Sequence, residues 1–292
     1  MKRLIIPAID PVEVFDACVD SIDDPALVSK FKAARSAIIN LFSTYTEKAE
    51  KYELYTLPLS SRAKPEQHVV AGLTKKELIS LYSNQLLQKG KNARKYYDKL
   101  IISAPLEKCP LCGFGQASTL DHFLSKSRYP TYSVFPSNLI PACSDCNKSK
   151  GASAVTESSQ QPHLYFESSK LEIEPWVFAE LIQTTPPNIR YYASPPADWP
   201  EELKLRAENH FNDLNLARRF GIEAAAELSN MVDILDDIGT LKDRKQHLVR
   251  YATVERSKRT NAWRAPMYEA LAESAWFQES GYKTFFKSPL IA

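Results

Sequence analysis

Glycine is scarce in this sequence, with eight residues in 292 beside nineteen prolines. That balance suits helices separated by stiff, proline-marked connections better than a glycine-rich β fold. Long apolar runs are missing too. Nothing approaches the ~20 consecutive apolar residues that span a bilayer. The stretch Leu4-Ile5-Ile6 stops at Pro7 with acidic residues following, so the basic start lacks the apolar core of a signal peptide. Leu4 to Ile9 reads as a short strand or an extended arm, and the expected compartment is the cytoplasm. Net charge is nearly absent: 37 basic against 35 acidic residues leave +2. Bulk charge therefore points to no partner, and only local clustering can identify a nucleic-acid binder. Internal repeats and low-complexity tracts are lacking as well. With 44% hydrophobic and 25% charged residues, the composition excludes a disordered chain.

The cysteines are few but patterned. Four of the five form two Cys-x-x-Cys knuckles, Cys109/Cys112 and Cys143/Cys146. In a reducing compartment that pattern reads as a metal site rather than as disulfides. Cys18 stands alone and reads as a small buried apolar residue.

Helical signals flank the knuckles. Leu27, Val28, Phe31, Ala34, Ile38, Ile39 and Phe42 recur mostly at three- and four-residue steps, predicting an amphipathic helix from Pro25 to about Tyr55, opened by Asp24-Pro25. Thr74-Lys-Lys-Glu77 resembles a capping box for a second helix, and Arg94 to Ile102 predicts a third. After Gly151 a serine- and glutamine-rich loop runs to about Gln161. Trp176 to Gln183 reads as a short helix. Five prolines between Thr184 and Pro200 enclose Ile189-Arg-Tyr-Tyr192, an edge strand between stiff turns. Helices are expected over Glu201 to about Phe220, Ile222 to Ile238, Thr240 to Ser257 and Pro266 to Phe277. The fold class expected is mainly α with a small inserted module. Its divisions are a helical region 1–104, the module at 105–155 and a helical region 156–292 for partner or nucleic-acid binding.

The two knuckles can place four thiolates about 2.3 Å from a tetrahedral Zn²⁺. All four positions are then used, so this zinc staples the module and does no chemistry. Thirty residues, 113–142, separate the knuckles, and the chemistry must lie among and beside them. The candidates are Asp121-His122, Asn138 in Asn-Leu-Ile-Pro141, Asn147 directly after the second knuckle, and Lys148 and Lys150 before Gly151.

In this order the motifs resemble the HNH endonuclease superfamily over roughly Lys108 to Gly151, about one seventh of the chain. The resemblance implies a ββα-metal core hydrolysing DNA phosphodiesters, with RNA left open. Asp121 and Asn147 would ligate a catalytic Mg²⁺ or Mn²⁺, His122 would be the general base, and Asn138 would set its orientation across the loop. A hard cation with oxygen ligands keeps positions open for phosphate oxygens, and an imidazole suits proton abstraction from water. Adjacent Asp and His point to opposite strand faces, so the strand must end or distort there. Lys148, Lys150 and Arg128 are candidate phosphate contacts. Many relatives carry a proline and a glycine pair after the Asp-His; here Phe123-Leu-Ser-Lys-Ser-Arg-Tyr-Pro130 fills that stretch, leaving the loop's path open.

His163 could approach the site but reads more readily as a packing or surface histidine, and His68, His210 and His247 read as structural. Lys242 to Arg264 carries eight basic against two acidic residues, fitting either a nucleic-acid track or a solvated face. The lead-in Ala93-Arg-Lys-Tyr-Tyr-Asp-Lys-Leu100 and the downstream Asn209-His-Phe-Asn-Asp-Leu-Asn-Leu216 are similar to HNH proteins of Septu-type and retron-associated anti-phage systems. That implies an ABC-type ATPase partner, with a retron reverse transcriptase in some systems, and an antiviral role. Two other readings stay open: a stand-alone restriction-type nuclease, and a non-cleaving zinc-stabilised binding or scaffold subunit.

Overall fold

The computed structural model describes residues 1–151 and 153–287. Ala152 and residues 288–292, which the sequence reading includes in the module and the C-terminal region, lie outside the described residues. The chain divides into two compact units, residues 2–167 and a second from Ser168 onward that includes Met1.

In the first unit, α1 (Pro11–Asp20) and α2 (Pro25–Glu50) begin alike. Asp10 and Asp24 accept the Val12 and Ala26 amides, and a proline occupies the first turn. The buried face of α2 is Phe31, Ala34, Ile38, Phe42, Tyr45 and Ala49, the three- and four-residue steps of an amphipathic helix. A small hairpin, β1 (His68–Val70) and β2 (Leu73–Thr74), leads into α3 (Lys75–Ser80). Here Thr74 and Glu77 form the predicted capping box. The helix continues as a π-helical turn, Leu81–Leu86, before α4 (Arg94–Ile102).

The module consists of β3 (Thr119–His122), β4 (Leu139–Ala142) and α5 (Ser144–Ser149). Its two strands pair antiparallel from Thr119↔Ala142 to His122↔Leu139. The connection between them, including turns at Pro130–Tyr132 and Pro136–Asn138, is mostly buried. It packs on α2: Phe42 stacks on Phe135 with centroids 4.6 Å apart, and Tyr45 meets Tyr132 and Phe135 edge-on at 5.0 Å. The N-terminal residues form an arm, with the Lys2 and Leu4 amides donating to the Pro110 and Leu164 carbonyls. Residues 156–167 return to this unit, where Gln160 donates to the Tyr52 carbonyl and Tyr165 to that of Leu139.

The second unit contains α6 (Lys170–Ile173), a hairpin of β5 (Val177–Ile182) and β6 (Asn188–Ala193), and then α7 (Glu201–Asp213), α8 (Leu216–Asp237), α9 (Leu241–Lys258), α10 (Arg264–Glu273) and α11 (Ala275–Glu279). The short helix expected at Trp176 to Gln183 is a strand. Its six apolar-rich residues are too few to fix a period, and its partner across the proline-rich turn decides the matter: Val177 pairs with Ala193, and Phe178 stacks on Tyr192. The helix break expected between Phe220 and Ile222 lies instead at Asn215, whose left-handed φ of 49° suits asparagine. Gly221 sits inside α8. The fold is thus mainly α with a small ββα module, and no helix among the described residues is long and apolar enough to cross a membrane.

Candidate functional site

The cysteine cluster is assembled by backbone geometry. Cys109 N–H donates to the Gly115 carbonyl at 2.7 Å and Gly113 N–H to that of Cys109 at 2.8 Å, curling the first knuckle. Gly115 is required there, since a Cβ would lie 2.9 Å from that of Cys143. The second knuckle opens α5, where the Cys143 sulfur accepts the Cys146 amide at 3.5 Å. All four cysteines are buried, with sulfurs within 4.8 Å of one another and Cys112 and Cys143 3.9 Å apart. Sulfurs about 2.3 Å from one tetrahedral ion would lie roughly 3.8 Å apart, so the donor set fits Zn²⁺. Hydrogen bonding with Cys109 draws the Cys143 and Cys112 thiols below their ordinary range, Cys112 to about 6. Cys109 is driven up by Cys112, and Cys146 by Cys109. Thiols this close resist full deprotonation unless a cation compensates the charge.

Asp121 and His122 end β3 on opposite faces. The Asp121 carboxylate is buried and 3.1 Å from the ammonium of Lys150, the residue that caps the end of α5. That ammonium also lies 3.4 Å from the His122 carbonyl. Burial pushes the Asp121 carboxyl up, and Lys150 pulls it partly back. The His122 ring turns towards the 123–138 connection, its Nε2 2.9 Å from the Ser133 carbonyl. A carbonyl only accepts, so Nε2 carries the proton and Nδ1 keeps its lone pair. Burial holds the ring neutral, with its pKa pushed down to about 3. Tyr82, on the π-helical turn, meets the ring edge-on with centroids 4.4 Å apart.

Asn138 is fully buried and uses its whole amide. Its Oδ1 accepts from the Leu124 amide at 2.7 Å and from the Tyr45 hydroxyl at 3.0 Å. Its Nδ2 donates to the Leu124 and Tyr132 carbonyls at 3.1 and 3.0 Å. It thereby ties the residues after His122 to those around Ser133. His163 joins the same network: its Nδ1 accepts from the Tyr165 amide at 3.3 Å, which leaves Nε2–H to donate to the Tyr45 oxygen at 3.0 Å. Its ring lies against Phe123 with centroids 4.1 Å apart. His163 is thus a buried packing histidine, and Tyr45, which the sequence reading overlooked, is its link to Asn138. Asn138→Ala would strand four buried polar groups. It is expected to cost at least about 3 kcal/mol of stability, measured by chemical denaturation.

The remaining candidates scatter around this centre. Asn147 on α5 and Lys150 at its C-terminal end meet Thr119 and Asp121 on one face of β3. The Asn147 amide donates to the Thr119 hydroxyl at 3.1 Å, leaving its Oδ1 as the atom a cation would use. Lys148 is exposed, and Lys150 is committed to Asp121. Arg128 lies close enough to Lys75 and Tyr129 for its charge to act on both.

Residues 109–153 match the HNH endonuclease family. Protein ea31 of Escherichia phage lambda is 37% identical over 242 residues, covering 80% of this chain and 79% of ea31. The chain belongs to the family of protein ea31 and carries an HNH endonuclease domain. No solved structure matches it.

The HNH match spans both knuckles, Asp121, His122, Asn138 and Asn147, and nothing of the second unit. There the basic run is partly consumed by internal pairing. Arg244 donates to the Leu235 and Gln278 carbonyls, Arg256 pairs with Glu269, Lys258 with Glu255 and Arg264 with Glu227. At least half of its eight charges serve the helices themselves, which weakens the nucleic-acid-track reading.

Proposed function

We propose that this protein is a metal-dependent HNH endonuclease that hydrolyses DNA phosphodiesters to a 3′-hydroxyl and a 5′-phosphate. The observation that carries this reading is the His122–Ser133 hydrogen bond, because it commits the ring to the tautomer whose Nδ1 takes a proton. Asp121 and Asn147 would hold Mg²⁺ or Mn²⁺ through a carboxylate and an amide oxygen, donors that suit a hard cation. When bound, that ion supplies charge stabilisation for the phosphate and the leaving 3′-oxygen. His122 accepts the proton of the attacking water. Lys150 balances the buried Asp121 carboxylate, Lys148 contacts the DNA backbone from the outside of α5, and Asn138 holds the loop that receives the His122 ring.

The purified chain, incubated with linear double-stranded DNA and MnCl₂, is expected to cut it, and Asp121→Ala to abolish the cutting. Cleavage undiminished in a folded Asp121→Ala protein would refute the assignment. We further propose that an ABC-type ATPase partners the nuclease in anti-phage defence. The support is the similarity of the Ala93–Leu100 and Asn209–Leu216 segments to HNH subunits of such systems, and copurification from the native host tests it.

A further inference from the structure

Lys126 stands on the connection after β3, four residues beyond His122. Its ammonium lies over the Tyr82 ring, 4.6 Å from the centroid, and the same ring meets His122 edge-on. Tyr82 is tied in turn to β3, its hydroxyl 3.5 Å from the Leu120 carbonyl. The platform beneath Lys126 is therefore linked to the strand that carries Asp121 and His122. The ring face attracts a cation and restricts where it goes, so this lysine is held and not merely tethered.

Neighbouring ammonium groups are satisfied: Lys150 by Asp121, and Lys75 by the Ser61 and Arg62 carbonyls. Among the described residues, nothing accepts a hydrogen bond from Lys126. Half-buried, it is desolvated enough that its pKa falls, and its charge reaches both Asp121 and His122. A positioned, partly dehydrated ammonium without an acceptor, beside a base, is arranged for an anion that arrives with the substrate.

We propose that Lys126 clamps the scissile phosphate, its ammonium meeting the non-bridging oxygens on which charge accumulates during attack. The inference rests on the nuclease reading above. In the step, the water oxygen bonds to phosphorus while its proton passes to His122 Nδ1. The bond from phosphorus to the 3′-oxygen breaks, its electron pair stays on that oxygen, and solvent supplies the proton that completes the hydroxyl. Lys126 keeps its own proton throughout and acts by charge alone.

The test uses the full chain, linear double-stranded DNA and MnCl₂ under single-turnover conditions. Lys126→Met keeps the aliphatic stem on Tyr82 and removes the charge. It is expected to slow cleavage about 10²-fold while DNA affinity, measured in CaCl₂, changes less than about threefold, with Lys126→Arg recovering much of the rate. Thermal melting checks that each variant is folded, and Lys126→Gln replaces the methionine variant if that one melts early. A folded, charge-free variant that cuts at the wild-type rate overturns the proposal and leaves the nuclease reading standing. So does a loss of binding that accounts for the whole loss of rate. A wild-type chain that cuts no DNA overturns both.

Discussion

A His122→Ala protein is expected to remain folded and to cleave DNA about 10²- to 10⁴-fold more slowly than wild type, the usual worth of a positioned general base. The expectation follows from which ring nitrogen is occupied. Nε2 is spent on the Ser133 carbonyl, whose position is fixed because Asn138 bonds the adjacent Tyr132 carbonyl. Nδ1 is left with its lone pair, and no other histidine can substitute: His163 commits both nitrogens to the Tyr165 amide and the Tyr45 hydroxyl. The pH dependence follows from the same burial. The base must be neutral to act, and its pKa is pushed from 6.5 down to about 3. The rate should therefore show no acidic limb near pH 6.5 from this residue. Stability should respond instead. The depressed pKa means that the contribution of neutral His122 is fully present above pH 6.5 and is lost as the pH falls through about 3. In that window the unfolded chain binds a proton that the native ring refuses, a slope of up to about 1.4 kcal/mol per pH unit. Denaturation curves of His122→Ala between pH 6.5 and pH 4 should be flatter than those of wild type by about that slope. Full activity in the folded variant would remove His122 from the mechanism.

What the sequence made legible was the HNH segment and its cysteine cluster, whose spacing is local. The knuckles, Asp121-His122 and Asn138 lie in one short segment, and their roles depend on a hairpin and a helix that the segment itself builds. The capping box at Thr74 was legible for the same reason, being three residues long. Tyr45, Tyr82 and Lys126 were not legible as neighbours of these residues. Tyr45 is 93 positions from Asn138 and 118 from His163. Its place in α2 announces only an apolar face, so the hydroxyl that closes the network looks in sequence like one more core aromatic. Tyr82 acquires its position from the π-helical turn, which spacing arguments built on 3.6 residues do not anticipate. Lys126 occupies the stretch where the motif departs from the commoner family pattern, so no motif position pointed to it. The β5 strand was misread because six residues carry too little periodicity, and its partner strand decides between strand and helix. In each case the missing information was a tertiary neighbour.

Replacing Cys109 and Cys143 together by serine is expected to release zinc and dissolve the HNH domain, abolishing cleavage by a route unlike that of His122→Ala. Packing on α2 holds the connection between the module's strands, but its own secondary structure is short. Its two strands form four residue pairs, and its helix has six residues, each too short to persist alone. Zinc binding to such small sites contributes about 10–16 kcal/mol, comparable to or larger than the roughly 5–15 kcal/mol that stabilises a whole domain. The two cysteines come one from each knuckle, so their loss frees both the loop that Gly115 fits against Cys143 and the start of α5. With α5 released, Asn147 and Lys150 leave the face of β3, and Asp121 loses the ammonium that offsets its burial. The packing of Phe15 on α1 against Phe31 and Phe42 on α2 does not depend on the sulfurs. Far-ultraviolet circular dichroism should therefore retain most of its helical signal while bound zinc, measured by a chromogenic chelator after denaturation, falls from about one per chain to none. Bound zinc in the double variant would disprove the Cys₄ site. A zinc-free variant that still cut DNA would show that the ββα core holds Asp121 and His122 in place without the metal.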